Sequence, residues 1–217
     1  MPRVEAVLFD LDGTLVDSAP DFLEVVNSLR KEDSLPPLAY EKIREQVSNG
    51  GIALSCLTWE ITPEHSEIMA YRERLLTRYS EVIGSQAKLF NGFEDVLAKL
   101  QAHDIQWGIV TNKPKPYALP LLSKLQIDSP VVICPEDVIQ RKPHPEPLHK
   151  AANLLGVTAQ NCWYVGDHAR DIESAIAASM TSVAALFGYI EPQINPQDWN
   201  ADHYIHQPQD LLSLLNL

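Results

Sequence analysis

Two carboxylates, one residue apart, end the first apolar run of the chain, Val4-Glu5-Ala6-Val7-Leu8-Phe9-Asp10-Leu11-Asp12-Gly13-Thr14. A run rich in Val and Leu reads as a buried parallel strand. Strand side chains alternate between faces, so Asp10 and Asp12, flanking Leu11, can share one side. Gly13 permits a tight turn and close backbone approach. Two carboxylates just past a strand end can converge on a ligand, because open α/β sheets bind ligands outside their carboxyl edge. Asp12-Gly13 is also an ordinary turn pair, and from this stretch alone the two readings stand side by side.

Three later groups follow apolar stretches in the same way. Residues 106–110 lead to Thr111, Asn112 and Lys113. Residues 131–133 precede Lys142, in Gln140-Arg141-Lys142-Pro143-His144-Pro145. Residues 162–165 end in Gly166-Asp167, with Asp171 four residues on. Taken singly, Thr111 is a strand-end residue, Lys142 a solvated charge, Asp167 a turn and Asp171 helix first-turn decoration. Taken together, they suit phosphoryl transfer. A carboxylate nucleophile can form an aspartyl-phosphate and divide one hard displacement into two easier ones. A hard cation such as Mg²⁺ takes one or two carboxylates plus substrate oxygens and water; Asp10, Asp167 and the backbone carbonyl of Asp12 could supply protein oxygens. A lysine and a hydroxyl, Lys142 and Thr111, stabilise charge on the phosphate.

The elements that must position these groups are legible in the periodicity. After the first strand the pattern is helical from about 16 to 86, with no convincing strand. Its first helix starts at Ser18-Ala19-Pro20-Asp21, carries Phe22, Val25, Val26 and Leu29 at helical spacing and ends before Pro36-Pro37; the others span 40–47, 52–59 and about 62–82, the last with Ile68, Tyr71, Leu75 and Tyr79 as its apolar stripe. Asn49-Gly50-Gly51 interrupts the second and third. From residue 88 onward strands and helices alternate, which implies a parallel sheet covered on both faces. The architecture expected is α/β, a Rossmann-like parallel sheet core from residues 1–15 plus 88–217. A helical cap at 16–87 is inserted after the first strand, where it can act as a lid.

The chain has 217 residues, with 17 Lys and Arg against 29 Asp and Glu, a net charge of -12. That balance argues against nucleic acid or an anionic membrane as partner. It leaves open a small phosphorylated metabolite met by a local site. Cys56, Cys134 and Cys162 lack metal-ligand spacing and read as free thiols. Few cysteines and no recognisable targeting segment point to the cytoplasm. Oligomeric state is not legible.

The stretch Asp10-Leu11-Asp12-Gly13-Thr14-Leu15-Val16-Asp17-Ser18 closely resembles the opening motif of the haloacid dehalogenase superfamily of phosphatases. The resemblance implies Asp10 as nucleophile and Asp12 as general acid/base. It implies Thr111 as the phosphate-binding hydroxyl, Lys142 as the third-motif lysine, and Asp167 with Asp171 as the acidic pair that serves Mg²⁺ alongside Asp10 and Asp12. Within the superfamily the chain looks like the phosphoglycolate phosphatase group, on Asp17-Ser18-Ala19-Pro20-Asp21, Ser48-Asn49-Gly50-Gly51, Val110-Thr111-Asn112-Lys113-Pro114 and Lys142-Pro143-His144-Pro145-Glu146-Pro147-Leu148. It is closer still to the branch containing N-acetylmuramic acid 6-phosphate phosphatases, on Trp107-Gly108-Ile109-Val110 and Ile133-Cys134-Pro135-Glu136-Asp137-Val138. The activity implied is Mg²⁺-dependent hydrolysis of a small phosphate ester; a phosphosugar mutase and a haloacid dehalogenase are the rivals. Asn112, Gly50 and Gly51 are the candidate substrate contacts, with Lys113, His144 and His168 near the expected site.

Overall fold

The computed structural model describes residues 3–217. In chain order the elements are β1 (Ala6–Phe9), β2 (Val16–Asp17), α1 (Ala19–Glu32), α2 (Tyr40–Val47), α3 (Gly50–Trp59), α4 (Ile68–Val82) and β3 (Lys88–Leu89). There follow α5 (Phe93–Ala102), β4 (Gln106–Val110), α6 (Lys115–Lys124), β5 (Val132–Ile133), α7 (Glu146–Leu155), β6 (Cys162–Gly166), α8 (Ala169–Ala177), β7 (Thr181–Ala185), β8 (His203–Ile205) and α9 (Asp210–Leu215).

The main sheet has the order β5-β4-β1-β6-β7-β8, and every pairing in it is parallel. The α/β class and the parallel core are therefore as the alternation implied. β1 lies in the middle and is wholly buried. Its side chains divide by parity, as a strand covered on both faces requires. Val7 and Phe9 pack with Phe93, Val96 and Leu100 of α5 and Ala118 and Leu121 of α6. Ala6 and Leu8 pack with Leu148, Ala151 and Leu155 of α7 and Ala175 of α8. Since β1, β4 and β6 run in register, Asp10, Thr111 and Asp167 leave the sheet at one edge.

α1 to α4 share a separate apolar cluster built on Phe22, Val26, Leu29, Ile43, Leu54, Leu75 and Tyr79, joined by Tyr189 from the loop after β7. The expectation that residues 16–86 hold no strand is corrected here. Val16 and Asp17 form a short antiparallel pair with Leu89 and Lys88. Two residues carry no readable period, and the partner lies at the far end of the insert. α4 starts at Ile68 rather than near 62, because residues 62–68 make separate turns closed by His65 N–H to Thr62 O and Ile68 N–H to His65 O. α3 starts at Gly50 rather than 52; Gly50 takes φ of 84°, which a residue with a side chain rarely adopts.

Two buried polar side chains fix this insert. Asp21 of α1, fully buried, accepts hydrogen bonds from the backbone N–H groups of Gly84 (2.7 Å), Gln86 (2.7 Å) and Ala87 (3.0 Å), tying the return linker to the first helix. Arg30, also buried, donates to Pro36 O, Thr58 O (2.7 Å) and Glu60 Oε1 (2.8 Å), joining α1 to the end of α3. Unmet buried polar groups are costly, so each set closes one loop of the helical layer.

Candidate active site

Asp10 follows β1, and its N–H donates to Val165 O at 2.9 Å, which seats it between β1 and β6. Thr111 follows β4 and is tied by its N–H to Ile133 O. Asp167 follows β6. Lys142 arrives from the loop before α7 and is held there by Asn112, whose side-chain amide donates to Lys142 O at 2.9 Å.

The Lys142 ammonium, almost fully buried, has three protons and three acceptors: Val110 O (2.9 Å), Tyr164 Oη (2.6 Å) and Asp171 Oδ1 (2.7 Å). Asp10 Oδ1 is a fourth neighbour at 2.9 Å. With its protons shared among these acceptors, Lys142 holds Asp10 Oδ1 mainly as an ion pair. Burial alone would lower the lysine pKa; Asp10 and Asp171 outweigh it and hold it above its ordinary value.

Ligand atoms of Asp10, Asp167 and Asp171 lie within 4.8 Å of one another. Burial and then the charges of Asp10 and Asp171 push the Asp167 carboxyl up to about 7. Burial raises Asp171 too, with Lys142 pulling against it. Three carboxylates around one ammonium, once all are ionised, leave an excess of two negative charges at a largely buried site. The donors are all oxygen, a set that fits a hard divalent cation. The members differ in how free they are. Asp171 accepts from Lys142 with Oδ1 and from His168 N–H with Oδ2. Asp167 Oδ2 accepts from Tyr189 N–H (2.8 Å) and Ser48 Oγ (3.0 Å), and Oδ1 from Thr14 Oγ1 (3.3 Å). Gly13, at φ of 80°, and Gly188 close over Asp167 so tightly that a Cβ at either position would overlap it.

The Asp12 side chain stands apart from this triangle. It accepts from Ser18 Oγ and from Lys113, whose Nζ lies 2.9 and 3.1 Å from the two carboxylate oxygens. Lys113 is only 7% exposed and sits over the Phe22 and Tyr79 rings of the helical layer. Burial works against its charge, but Asp12 and Tyr79 together raise its pKa above the ordinary lysine value. The sequence put Lys113 on the margin of the site; the structure puts it beside Asp12. Its position two residues past Thr111, whose Oγ1 accepts the Lys113 N–H, was the available signal.

The two histidines serve helix starts. His144 Nδ1 accepts the Glu146 N–H at 3.2 Å, and the residue lies outside the cavity lining. His168 Nδ1 accepts from Arg170 N–H, capping α8, the Arg170 guanidinium lies against both ring nitrogens, and Nε2 is 3.3 Å from Asn49 Oδ1. Burial and Arg170 lower His168 to about 4, leaving it neutral near pH 7.

A cavity of about 450 Å³ opens from these groups into the helical layer. Its floor holds Asp10, Asp12, Thr111, Asn112, Lys113 and Lys142. Its roof holds Phe22, Gly50, Gly51, Leu54, Arg72 and Tyr79. The roof is seated on the core by Ser48 to Asp167, by Asn49 Nδ2 to Glu191 Oε1 (2.7 Å) and by Arg44 to Phe187 O (2.6 Å). The candidate residues read from the sequence thus line the cavity or, like Asp167 just beneath the floor, border it, except His144, which lies outside it. Tyr164, Tyr189, Ser48 and Arg72 were not singled out; their motifs carry no distinctive spacing.

A family model described as haloacid dehalogenase-like hydrolase matches residues 7–185. An N-acetylmuramic acid 6-phosphate phosphatase of Pseudomonas aeruginosa is 36% identical over 216 residues, covering 99% of this chain and 96% of that protein. A phosphoglycolate phosphatase of Xanthomonas campestris pv. campestris is 45% identical over 212 residues, covering 95% and 94%. Among solved structures, a predicted phosphoglycolate phosphatase from Haemophilus somnus superposes with a TM-score of 0.84 at 26% identity, covering 99% of each chain. Among the described residues no helix is long and apolar enough to cross a membrane.

Proposed function

The chain belongs to the haloacid dehalogenase-like hydrolase family, and from that premise we propose that it is a Mg²⁺-dependent phosphatase of a small phosphorylated metabolite. Asp10 is the nucleophile. The observation that carries this reading is the Asp10 carboxylate, 2.9 Å from the buried Lys142 ammonium and clustered with the carboxylates of Asp167 and Asp171.

In the first step an Asp10 oxygen attacks phosphorus, the bond to the ester oxygen breaks, and Asp12 gives that oxygen a proton. In the second, Asp12 takes a proton from water, the water oxygen attacks phosphorus, and Asp10 is released with inorganic phosphate. Thr111 and Lys142 hold phosphate oxygens or the charge beside them. Lys113 is placed to exchange partners, from Asp12 to an arriving phosphate oxygen. Asp171 orients Lys142. Asp10, Asp167 and the Asp12 backbone carbonyl would hold Mg²⁺, which supplies charge neutralisation as the anionic ester approaches carboxylates. The acid at Asp12 favours a phosphate ester over a halide substrate, since a departing halide needs no proton.

The test is phosphate release from a panel of monoesters with Mg²⁺ and after chelation. Release that needs Mg²⁺ and disappears in Asp10→Asn supports the reading. No release from any ester, or release unaffected by both changes, would overturn it.

A further inference from the structure

The roof of the cavity presents one face of α4. Arg72, Leu76 and Tyr79 are spaced four and three residues apart, so they align on that face, and all three line the cavity. The other arginines of α4 are engaged: Arg74 with Glu32 and Asp33, Arg78 with Glu32 and Glu81. Arg30 is paired with Glu60. Arg72 alone among the cap arginines forms neither an ion pair nor a side-chain hydrogen bond among the described residues. The stem of Arg72 lies over the start of α3, with Cγ and Nε 3.4 Å from where a Cβ on Gly51 would stand. At the other end of the same face, the Tyr79 hydroxyl is buried beside the Lys113 ammonium. Between them the walls are apolar and aromatic: Leu76, Leu54, and Phe22 stacked on Tyr79 at 4.2 Å.

A half-buried cation with no counterion, in a chain of net charge -12, facing a cavity whose Lys113 and Lys142 are engaged by carboxylates, is placed to take an anionic group from the ligand. Its place sets a length. Tyr79 lies at the reaction end, with its ring 4.7 Å from Lys113 Nζ. Arg72 is seven residues away, about 10 Å along the helix axis. With bonds of about 1.5 Å, a two-carbon acid keeps its carboxylate within about 4 Å of the ester oxygen, whereas an acid ether on a hexose ring places it about 7–8 Å away. The ring also gives the aromatic wall something to cover, which a two-carbon acid does not.

Resting on the phosphatase reading above, we propose that Arg72 anchors the carboxylate of a ring-sized sugar acid whose phosphate is cleaved at Asp10. The specificity residue is therefore on α4.

The test compares kcat/KM of the full chain with Mg²⁺ on four esters: N-acetylmuramic acid 6-phosphate, N-acetylglucosamine 6-phosphate (the same ring without the lactyl carboxylate), 2-phosphoglycolate and p-nitrophenyl phosphate. Arg72→Gln is expected to lower the first by ~10- to ~100-fold, mainly through KM, and to leave the second and fourth within about 2-fold. Arg72→Lys should recover part of the loss. Retained p-nitrophenyl phosphate activity shows that the variant is folded. Equal losses on the two amino-sugar esters, or a loss confined to phosphoglycolate, would overturn the assignment of Arg72 and leave the phosphatase reading standing. A wild-type protein that hydrolyses none of the four would overturn both.

Discussion

Replacing Asp167 by Asn should stabilise the cation-free protein, and the gain should grow with pH. The carboxyl is almost fully buried beside Asp10 and Asp171, and its pKa is raised to about 7; in an unfolded chain an aspartate titrates near 3.9. The folded state therefore keeps a proton that the unfolded state has released, and stability falls as pH rises between those values. From this one group the loss is about 1.5 kcal/mol at pH 5 and about 4 kcal/mol at pH 8. Asn removes the charge and keeps the shape. Its carbonyl oxygen can accept from Tyr189 N–H and Ser48 Oγ as Asp167 Oδ2 does, and its amide faces the Thr14 hydroxyl. At roughly 2–4 °C per kcal/mol for a chain of this size, Tm should rise by about 3–6 °C at pH 5 and about 8–16 °C at pH 8. The assay is thermal unfolding after chelation, for both proteins, across that range. Added Mg²⁺ should raise the Tm of the wild type most at the higher pH and leave the variant nearly unmoved. A variant less stable than the wild type at pH 8, or a gain that does not change with pH, would refute the argument that like charge strains this cluster.

Asp10→Asn should lower turnover by roughly 10³-fold or more while far-UV circular dichroism and Tm stay close to the wild type; near-normal hydrolysis would remove Asp10 from its role. Asp12→Asn should slow alkyl phosphates by roughly 10²–10⁴-fold and an activated aryl phosphate much less, because only the former needs a proton on its leaving oxygen. Equal slowing of both in steady-state assays counts against an acid here. Asp21→Ala strands three backbone N–H groups, of Gly84, Gln86 and the buried Ala87. It should cost on the order of 2–4 kcal/mol and lower Tm by roughly 5–15 °C; an unchanged melt would mean that water replaces the carboxylate freely.

The sheet was legible because a strand buried on both faces needs an unbroken apolar run, and β1, β4 and β6 each have one that stops at a polar residue. The same grammar placed Asp10, Thr111 and Asp167 at one edge without coordinates, since parallel strands share their carboxyl end. What escaped was set by contacts between distant residues. The pair β2–β3 joins positions more than 70 residues apart through two residues each, too few to show a period. Lys113 could be placed only near the expected site by sequence; the structure sets its ammonium between Asp12 and the Tyr79 ring. Arg72 could not be distinguished from Arg74 or Arg78 by sequence, because all three sit on one helix. Only the packing of α4 against α1 and α3 decides which of them finds a carboxylate and which faces the cavity.

That division between core and cap has a physical origin. Cutting a phosphate ester requires fixed carboxylates and a fixed ammonium, and rigid strand ends supply them at positions the apolar pattern reveals. Choosing among esters requires a wall shaped by side chains from several helices, where the same residue type serves as surface charge or as anchor. The two meet at Asp167, which accepts one hydrogen bond from the cap through Ser48 and one from the loop after β7 through Tyr189 N–H. Tyr189 in turn ties that loop to the cap, donating to Asp17 Oδ1 (2.7 Å) and accepting from Ala19 N–H (2.9 Å). Seating the roof therefore adds donors to the most strained carboxyl of the floor. Each such donor favours the ionised form of Asp167, the form that a cation needs.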